Sequence, residues 1–252
     1  MIKNYNEKIE VAAKLIISSK KSFALTGAGI STESGIPDFR SETGYYQKMD
    51  PISALSRDVL LKNPKRFYSE GYKILEDLND KRPNMGHIAL AELERLKLLS
   101  GVITQNIDNL HAKAGSERMY EVHGETRGIH CINCGKSYDF SVMKAKVEKN
   151  EIPPKCDNCG GTLRPNVVMF GDMMPDDFQR AVMELETTEL LIVVGSSLTV
   201  SPVNFLPRYV DRLIIINSTP TPEDRNADLV FHEQAGDTLK DIVTEVKNIN
   251  GI

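Results

Sequence analysis

The 252-residue sequence has no long apolar run, no excess of basic charge and no repeated or low-complexity segment. Without about 18 consecutive uncharged apolar residues, a membrane span is not expected. Lysine and arginine together number 31 against 35 acidic residues, so a nucleic-acid-binding surface is not expected either. The first residues lack the apolar core of a signal peptide, and we therefore expect a cytoplasmic protein.

Cysteine is scarce, and every cysteine belongs to a short motif with a second one. The four cysteines form two Cys-x-x-Cys motifs, Cys131 with Cys134 and Cys156 with Cys159. This spacing is typical of a four-cysteine zinc ribbon. Four thiolates complete a tetrahedral shell and leave no position for water, so the pattern predicts a structural zinc ion. The alternative is two redox disulfides, which cytosolic proteins seldom keep.

The apolar residues predict an α/β fold. Helical spacing of apolar residues predicts a first helix over about 6–20 and a last helix over about 237–248. Continuous apolar runs predict buried strands, which span residues 22–26, 98–104, 190–194, 213–216 and 228–231. Such runs are typical of a Rossmann-like parallel sheet with helices on both faces.

Two stretches interrupt this alternation. Residues 41–85 are rich in tyrosine and phenylalanine with helical patterning, and residues 124–166 carry all the cysteines among glycines and prolines. Neither has enough apolar residues for a core of its own, so we expect two insertions that form one small lobe. The predicted division assigns residues 1–40, 86–123 and 167–252 to a Rossmann-type domain, 41–85 to a helical insertion and 124–166 to a zinc-ribbon insertion.

A glycine turn follows the first predicted strand. Gly27-Ala28-Gly29 would let backbone amides approach a pyrophosphate. Thr32 stands where the ordinary dinucleotide fingerprint has glycine or alanine, so a turn without a ligand remains an alternative. The segment from Pro37 to Arg40 combines an acid, an aromatic ring and a guanidinium, which suggests a lid over a ligand.

Polar residues follow the next strands. The segment 104–111 holds several carboxamides and a carboxylate, Gly195-Ser196-Ser197 follows the third strand and Asn217 ends the fourth. Ligands of parallel α/β sheets bind at this edge. Helix capping would explain one residue of 104–111 but not all of them.

Two further features concern catalysis and peptide binding. His123 closes a strand-like run and is a candidate base for a sugar hydroxyl, with His111 and His130 as competitors. The β-branched run 164–171 could offer an open strand edge to an extended peptide.

The sequence resembles the sirtuins, because six features occur here in the order found in that family. They are the glycine motif, Pro37-Asp38-Phe39-Arg40, the segment 104–108, His123-Gly124, the paired Cys-x-x-Cys motifs and Gly195-Ser196-Ser197. The resemblance covers nearly the whole chain and implies an NAD-dependent protein-lysine deacetylase of the bacterial or archaeal type. It implies NAD as co-substrate, one structural zinc ion and acetyl-lysine-containing proteins or peptides as substrates. It implies that NAD contacts Ala28, Thr32, Phe39, Arg40, Gln105, Asn106, Ile107, Asp108, Ser196, Ser197, Asn217, Asp237 and Thr238.

The implied chemistry is group transfer. The acyl oxygen of the modified lysine attacks the ribose carbon that bears nicotinamide, and His123 then activates a ribose hydroxyl as general base. The products are nicotinamide, free lysine and O-acetyl-ADP-ribose. Substrate peptide would pair with a strand that includes Val167, Val168, Phe170 and Gly171.

The sequence departs from the family pattern at two positions. Members that prefer acidic acyl groups have an arginine three residues after a tyrosine, but here Tyr68 is followed at that distance by Gly71. We therefore expect a preference for acetyl or other uncharged acyl groups. Asp172 stands where glutamate is usual, with little expected effect on catalysis. The alternatives are a dehydrogenase with a structural zinc, a mono-ADP-ribosyltransferase and a zinc-ribbon protein that binds nucleic acid.

Overall fold

The computed structural model describes residues 4–38, 44, 54–76, 78 and 80–251. The strands in these residues are β1 (Ser22–Thr26), β2 (Val102–Thr104), β3 (Met119–Glu121), β4 (Gly124–Cys131), β5 (Ser137–Asp139), β6 (Leu163–Val167), β7 (Leu190–Val194), β8 (Arg212–Ile216) and β9 (Leu229–Phe231). The α-helices are α1 (Tyr5–Ser18), α2 (Arg57–Lys62), α3 (Pro64–Arg66), α4 (Tyr72–Glu76), α5 (Met85–Arg95), α6 (Leu110–Ala114), α7 (Phe140–Glu148), α8 (Asp176–Leu185) and α9 (Ala235–Asn250). A π-helix (Phe67–Gly71) joins α3 to α4, and 3₁₀ helices span Ala28–Ser34, Val203–Tyr209 and Asp224–Asn226.

Six strands form a parallel sheet in the order β3-β2-β1-β7-β8-β9. Every residue of β1 and β7 is buried, as expected for central strands covered on both faces. Helices α1, α5 and α9 pack on one face, and α8 packs on the other with the 3₁₀ helix Val203–Tyr209. The predicted Rossmann-like fold is confirmed.

The predicted element bounds differ from the observed ones where loops begin with apolar residues. The strand predicted over 98–104 starts only at Val102. Leu98 and Leu99 instead donate their backbone N–H groups to the Leu93 carbonyl and so close the end of α5. Gly101 then has a φ of 154° before the strand starts. The last helix spans Ala235–Asn250 and is therefore longer than the predicted 237–248.

A smaller antiparallel sheet has the order β5-β4-β6. Cys131 ends β4, and the other three cysteines lie in the connections next to the sheet. Its apolar side chains share one core with the helical segment 57–76 and with α7, whose Phe140 ring stacks on Tyr72 with centroids 5.9 Å apart. Ile129 and Leu163 of the sheet pack in the same core as Phe67 of the π-helix. The ribbon and the helical segment therefore stabilise each other.

None of the helices in the described part of the chain is long and apolar enough to cross a membrane.

Candidate functional site

The glycine turn lies where the strand order of the large sheet reverses, between β1 and β7. Gly27 N–H donates to the Val194 carbonyl over 3.0 Å, and Gly29 N–H donates to the Gly195 carbonyl over 2.8 Å. A Cβ atom on Gly29 would lie 2.7 Å from the Gly195 Cα, and one on Gly195 would lie 2.1 Å from the Ile30 nitrogen. These glycines therefore let the loops after β1 and β7 pack backbone against backbone. Gly27 precedes a 3₁₀ helix, Ala28–Ser34, rather than an α-helix.

The polar side chains that follow separate strands converge in the structure. The Gln105 Nε2 atom donates to Ser196 Oγ over 2.8 Å, which joins the end of β2 to the end of β7. The Asn106 Nδ2 atom donates to the Gly27 carbonyl and to Ser31 Oγ, each over 3.1 Å. Polar groups at the ends of β1, β2 and β7 thus form one hydrogen-bonded cluster, which we call the crevice because ligands of parallel sheets bind at this edge.

Asp108 joins this crevice through Ser31 and is only 5% exposed. Ser31 Oγ donates to its Oδ2 over 2.6 Å, and the Leu110 backbone N–H donates to its Oδ1 over 2.9 Å. The second bond satisfies a free N–H in the first turn of α6, so Asp108 also has the capping role that its position suggested. Each carboxylate oxygen keeps a lone pair for another donor.

His123 lies between β3 and β4 and contacts the crevice residue Gln105. Its Nδ1 atom lies 3.0 Å from the Gln105 carbonyl oxygen. Because a carbonyl only accepts, Nδ1 carries the hydrogen and Nε2 keeps a free lone pair. Burial lowers the pKa of the imidazole, against an opposing effect of the Gln105 bond, so the ring is neutral near pH 7.

The two competing histidines occupy different environments. His111 is 2% exposed, and burial, with a smaller contribution from His87, lowers its pKa to about 3. Its Nε2 atom lies 2.9 Å from Thr26 Oγ1. The His130 Nδ1 atom lies 2.8 Å from Asn166 Oδ1 in the small sheet. Among the three, His123 is the one that contacts the backbone of the crevice residue Gln105.

The predicted peptide segment begins in β6, an edge strand of the small sheet. Val167 pairs with Gly124, and the Val168 N–H donates to the His123 carbonyl over 2.9 Å. Further along, the Phe170 carbonyl accepts from the Arg57 N–H over 3.1 Å, and the Phe170 side chain is 46% exposed. The segment therefore runs from His123 to the start of α2.

An ion pair that the sequence interpretation did not include braces this segment. Arg164 Nη2 donates to Asp172 Oδ2 over 2.6 Å and to the Val167 carbonyl over 2.9 Å. Asp172 Oδ2 also accepts from the Met169 N–H over 2.9 Å. Burial raises the pKa of Asp172, but the bonds from Arg164 and Met169 outweigh it and the pKa falls below its usual value. Asp172 and Arg164 therefore connect the Val167 carbonyl with the Met169 N–H, and we call this ion pair the clamp.

The remaining predicted NAD residues are placed less closely together. Asn217 follows β8 and donates to the Thr219 carbonyl over 2.7 Å, and Ser197 contacts Thr199. Thr32 is exposed, and its hydroxyl donates to the Gly29 carbonyl. Three others are Ala28 and Ile107, which are half-buried, and Asp237, which is exposed.

Thr238 is fully buried in the first turn of α9, where its hydroxyl has no hydrogen-bond partner. Its contact with NAD stays a prediction. Phe39 and Arg40 lie outside the described residues.

The four cysteine sulfurs converge at one end of the small sheet, all within 4.8 Å of one another. The Sγ atoms of Cys131 and Cys159 lie 3.5 Å apart, and those of Cys134 and Cys156 lie 3.8 Å apart. Tetrahedral zinc with Zn–S bonds of about 2.3 Å requires sulfurs about 3.8 Å apart, so the cluster fits a structural zinc ion.

The sequence interpretation missed two residues of the crevice. Ser31 follows the glycine turn and bonds Asp108, and His87 at the start of α5 lies 3.4 Å from Ser31 Oγ. The position of Ser31 inside the glycine motif was an available signal. Nothing near His87 in the sequence connects it with the crevice, because the contact spans 56 residues.

Comparison with known proteins agrees with this geometry. The model of the Sir2 family matches residues 27–202. The NAD-dependent protein deacetylase 2 of Caldanaerobacter subterraneus subsp. tengcongensis is 55% identical over 238 residues, which cover 94% of this chain and 95% of that protein.

Solved Sir2 structures share the fold. A Sir2 complex with deacetylated p53 peptide and 3′-O-acetyl-ADP-ribose has a TM-score of 0.88 and 35% identity, covering 97% of this chain and 99% of that chain. A Sir2 complex with p53 peptide and NAD⁺ has a TM-score of 0.84 and 35% identity, covering 94% and 96%. A family model that matches most of the chain, together with relatives similar over their full length, shows that this chain belongs to the Sir2 family, the sirtuins.

Proposed function

We propose that the protein is an NAD-dependent protein-lysine deacetylase that transfers the acetyl group of acetyl-lysine to ADP-ribose and releases nicotinamide. One observation carries this proposal: His123 joins the crevice to the strand edge. Its Nδ1 atom is bonded to the Gln105 carbonyl, and its own carbonyl accepts from Val168 N–H. A base at this position can reach both a ligand in the crevice and a peptide along β6.

The crevice suits a dinucleotide. It lies at the strand-order reversal of a parallel sheet, where such ligands bind, and it presents amide, hydroxyl and carboxylate groups from three strand ends. We assign NAD contacts to the residues predicted from the sequence, with Asp108 accepting from the nicotinamide carboxamide. Bound NAD supplies a ribose carbon that can lose nicotinamide and take up the acyl oxygen.

His123 acts as the general base. Its neutral imidazole with a free Nε2 lone pair can take a proton from a ribose hydroxyl at neutral pH. The Gln105 carbonyl holds the hydrogen on Nδ1 and would stabilise the imidazolium that forms. The ring therefore needs no separate carboxylate to set its tautomer.

The substrate peptide adds a strand to the open edge that Val167 begins. Backbone pairing of this kind holds an extended peptide in register while its side chains remain available for specificity. Val168, Phe170 and Gly171 continue the edge, and the loop 198–204 would cover the peptide from the other side. The clamp of Arg164 and Asp172 keeps this edge in place.

The helical segment favours uncharged acyl groups. The buried Tyr68 hydroxyl donates to the Leu163 carbonyl, so it is engaged within the small lobe. A Cβ atom on Gly71 would lie 2.7 Å from Leu55 Cδ2 and 2.8 Å from the Ala54 carbonyl, which leaves no space for an arginine. No guanidinium at position 71 can then meet a succinyl carboxylate.

The zinc ion has a structural role, because four thiolates leave no open coordination position. We propose the domain division predicted from the sequence and a cytoplasmic location. The dehydrogenase and ADP-ribosyltransferase alternatives gain no support from the relatives, which are named as deacetylases.

Incubation of the protein with NAD and matched acetyl-, propionyl- and succinyl-lysine peptides tests the proposal. We expect nicotinamide release with the first two peptides and O-acyl-ADP-ribose detectable by mass spectrometry. The succinyl peptide should turn over at least roughly a hundredfold more slowly, as expected when a buried charge has no partner. The absence of nicotinamide release by folded, zinc-loaded protein contradicts the proposal, and appearance of reduced nicotinamide with a hydroxy acid would indicate a dehydrogenase.

A further inference from the structure

The hydroxyl of Tyr138 lies beside the four-cysteine cluster and has no role in the chemistry above. Its oxygen is 3.0 Å from Cys156 Sγ, within hydrogen-bond distance of a sulfur atom. Cys156 is only 3% exposed, whereas Cys134 and Cys159 are exposed. Tyr138 therefore faces a buried sulfur, where water does not readily replace a lost hydrogen bond.

The chemistry of the cluster determines which of the two atoms is the donor. Cysteine binds zinc as the thiolate, so a zinc-bound Cys156 sulfur carries no hydrogen and only accepts. The Tyr138 hydroxyl then donates to it. Four thiolates bring more negative charge than one zinc ion neutralises, and a donor stabilises the excess charge on the sulfur that it faces.

The fold holds the tyrosine in this position. Tyr138 is the central residue of β5, where it pairs with Ile129 of β4. Its half-buried ring packs against the core of the small sheet and the helical segment, and the Lys136 ammonium lies 5.4 Å from the ring centroid. The hydroxyl therefore connects the hairpin of β4 and β5, which includes the first Cys-x-x-Cys motif, with the second motif beyond α7.

A second side chain approaches a sulfur under different conditions. Asn158 Nδ2 lies 3.8 Å from Cys134 Sγ, and both residues are exposed. Water can replace so long a contact at an exposed atom. Of these two donors, Tyr138 makes the shorter bond, and it makes it to the buried sulfur.

We propose that Tyr138 is a positioning residue for the structural zinc ion and acts on it through the Cys156 thiolate. Its hydrogen bond orients the Cys156 side chain toward the other three sulfurs and stabilises the negative charge of the bound thiolate. Both effects slow zinc release, because a ligand that is held in place rebinds the ion before the other ligands dissociate. The inference goes beyond the proposed deacetylase activity and does not depend on it.

The variant Tyr138→Phe tests this role, because it removes only the hydroxyl and keeps the ring in the core. We expect its zinc dissociation constant to rise about tenfold through faster release, as is usual when a hydrogen bond to a metal ligand is lost. Both quantities are measured on the zinc-loaded full chain by competition with a chromogenic chelator. Neither NAD nor peptide is present, so the result is independent of turnover.

Tyr72→Phe is the matched control. Tyr72 is buried in the same core, and its hydroxyl has no hydrogen-bond partner in the described structure. The variant loses the same atom without losing a contact to sulfur, so it should release zinc at the wild-type rate. Asn158→Ala should change the release rate less than about threefold, because its contact with Cys134 is long and exposed.

A spectroscopic measurement separates a role at the metal from support of the core. When cobalt replaces zinc, the sulfur-to-cobalt charge-transfer band depends on the electron density of the thiolates. Loss of the donor raises the energy of the Cys156 lone pairs. The band should therefore move to longer wavelength in Tyr138→Phe and keep its position in Tyr72→Phe.

Three results overturn the proposal. The first is zinc release by Tyr138→Phe at the wild-type rate. The second is an unchanged cobalt band in that variant, which would mean that the tyrosine only supports the core. The third is an equal effect of Tyr138→Phe and Tyr72→Phe on zinc release.

Discussion

His123 has a single hydrogen bond on its ring in the described structure, to the Gln105 carbonyl over 3.0 Å. Its removal should therefore cost little stability but a large share of the rate. We expect His123→Ala to lower turnover by about 10²–10⁴-fold, the usual contribution of a general base, with NAD affinity within about twofold of wild type. Nicotinamide release and calorimetry measure the two quantities.

His130→Ala is the matched control, since His130 bonds Asn166 within the small sheet and does not contact the crevice residues. It should keep turnover within about threefold, because it removes one hydrogen bond within the small sheet. Near-normal turnover in His123→Ala, or an equal loss in His130→Ala, would remove His123 from the role of base.

Asp172 shows how one side chain can control substrate affinity without contacting the reacting atoms. Asp172→Asn keeps the size but removes the charge that faces the Arg164 guanidinium, and both side chains are largely buried. We expect the KM for the peptide to rise about tenfold, which corresponds to a lost charged hydrogen bond, while the KM for NAD stays unchanged.

Arg57→Ala supplies the comparison for this prediction. Arg57 lies 3.8 Å from Asp172 and is more than half exposed, so this ion pair contributes little. Its backbone bond to Phe170 remains in the variant. The peptide KM should change less than about threefold. A similar rise in both variants would mean that the clamp is not what holds the peptide edge.

At the level of elements, the ribbon depends on its metal ion more than the large sheet does. The four sulfurs lie close together beside the small sheet. Cys131 and Cys156 also pack in the core that the small sheet shares with the helical segment, so a bound zinc ion would stabilise that core. We expect chelation to expose this core and abolish activity while the six-stranded sheet stays folded. Limited proteolysis should then cut within residues 124–166 first.

Added zinc should restore both protection and turnover. Activity that survives complete removal of zinc, verified by elemental analysis, would contradict a structural role for the metal. Simultaneous melting of both sheets would show instead that the lobes do not unfold independently.

The elements differ in how far the sequence could predict them. The central strands β1 and β7 were predicted with their observed bounds, because short continuous apolar runs are typical of strands that are buried on both faces of a sheet. The strand over 98–104 was predicted too long, since the apolar Leu98 and Leu99 cap α5 instead. Apolar character alone does not distinguish a strand from the loop that leads into it.

The residues of the candidate site also differ in how far the sequence could predict them. Residues next to a motif, such as Gln105 and Ser196, could be predicted to converge because strand ends share an edge. His87 and Arg164 could not, because their partners are set by packing between distant segments. The roles of the individual NAD and peptide residues, including the fully buried Thr238, stay predictions.

For the whole molecule, the buried histidines make stability depend on pH. The pKa of His87 lies near 4 and that of His111 near 3, against 6.5 for an exposed histidine, mainly because of burial. Below about pH 6.5 the unfolded chain binds protons at these positions and the folded chain does not. The free energy of unfolding is therefore fully maintained above that pH and falls as the pH drops toward 4, by up to about 1.4 kcal/mol per pH unit for each histidine.

Urea unfolding at pH 7, 6 and 5 measures this slope, and His111→Gln isolates one histidine of the pair. The variant loses the buried imidazole, so it should be less stable at pH 7. On acidification its free energy of unfolding should fall by up to about 1.4 kcal/mol less per pH unit than that of the wild type. Protonation of the zinc ligands affects both proteins equally at saturating zinc, so the difference between the two slopes belongs to His111. Parallel slopes would mean that His111 binds a proton in the folded state as readily as in the unfolded one, and burial would then not control its charge.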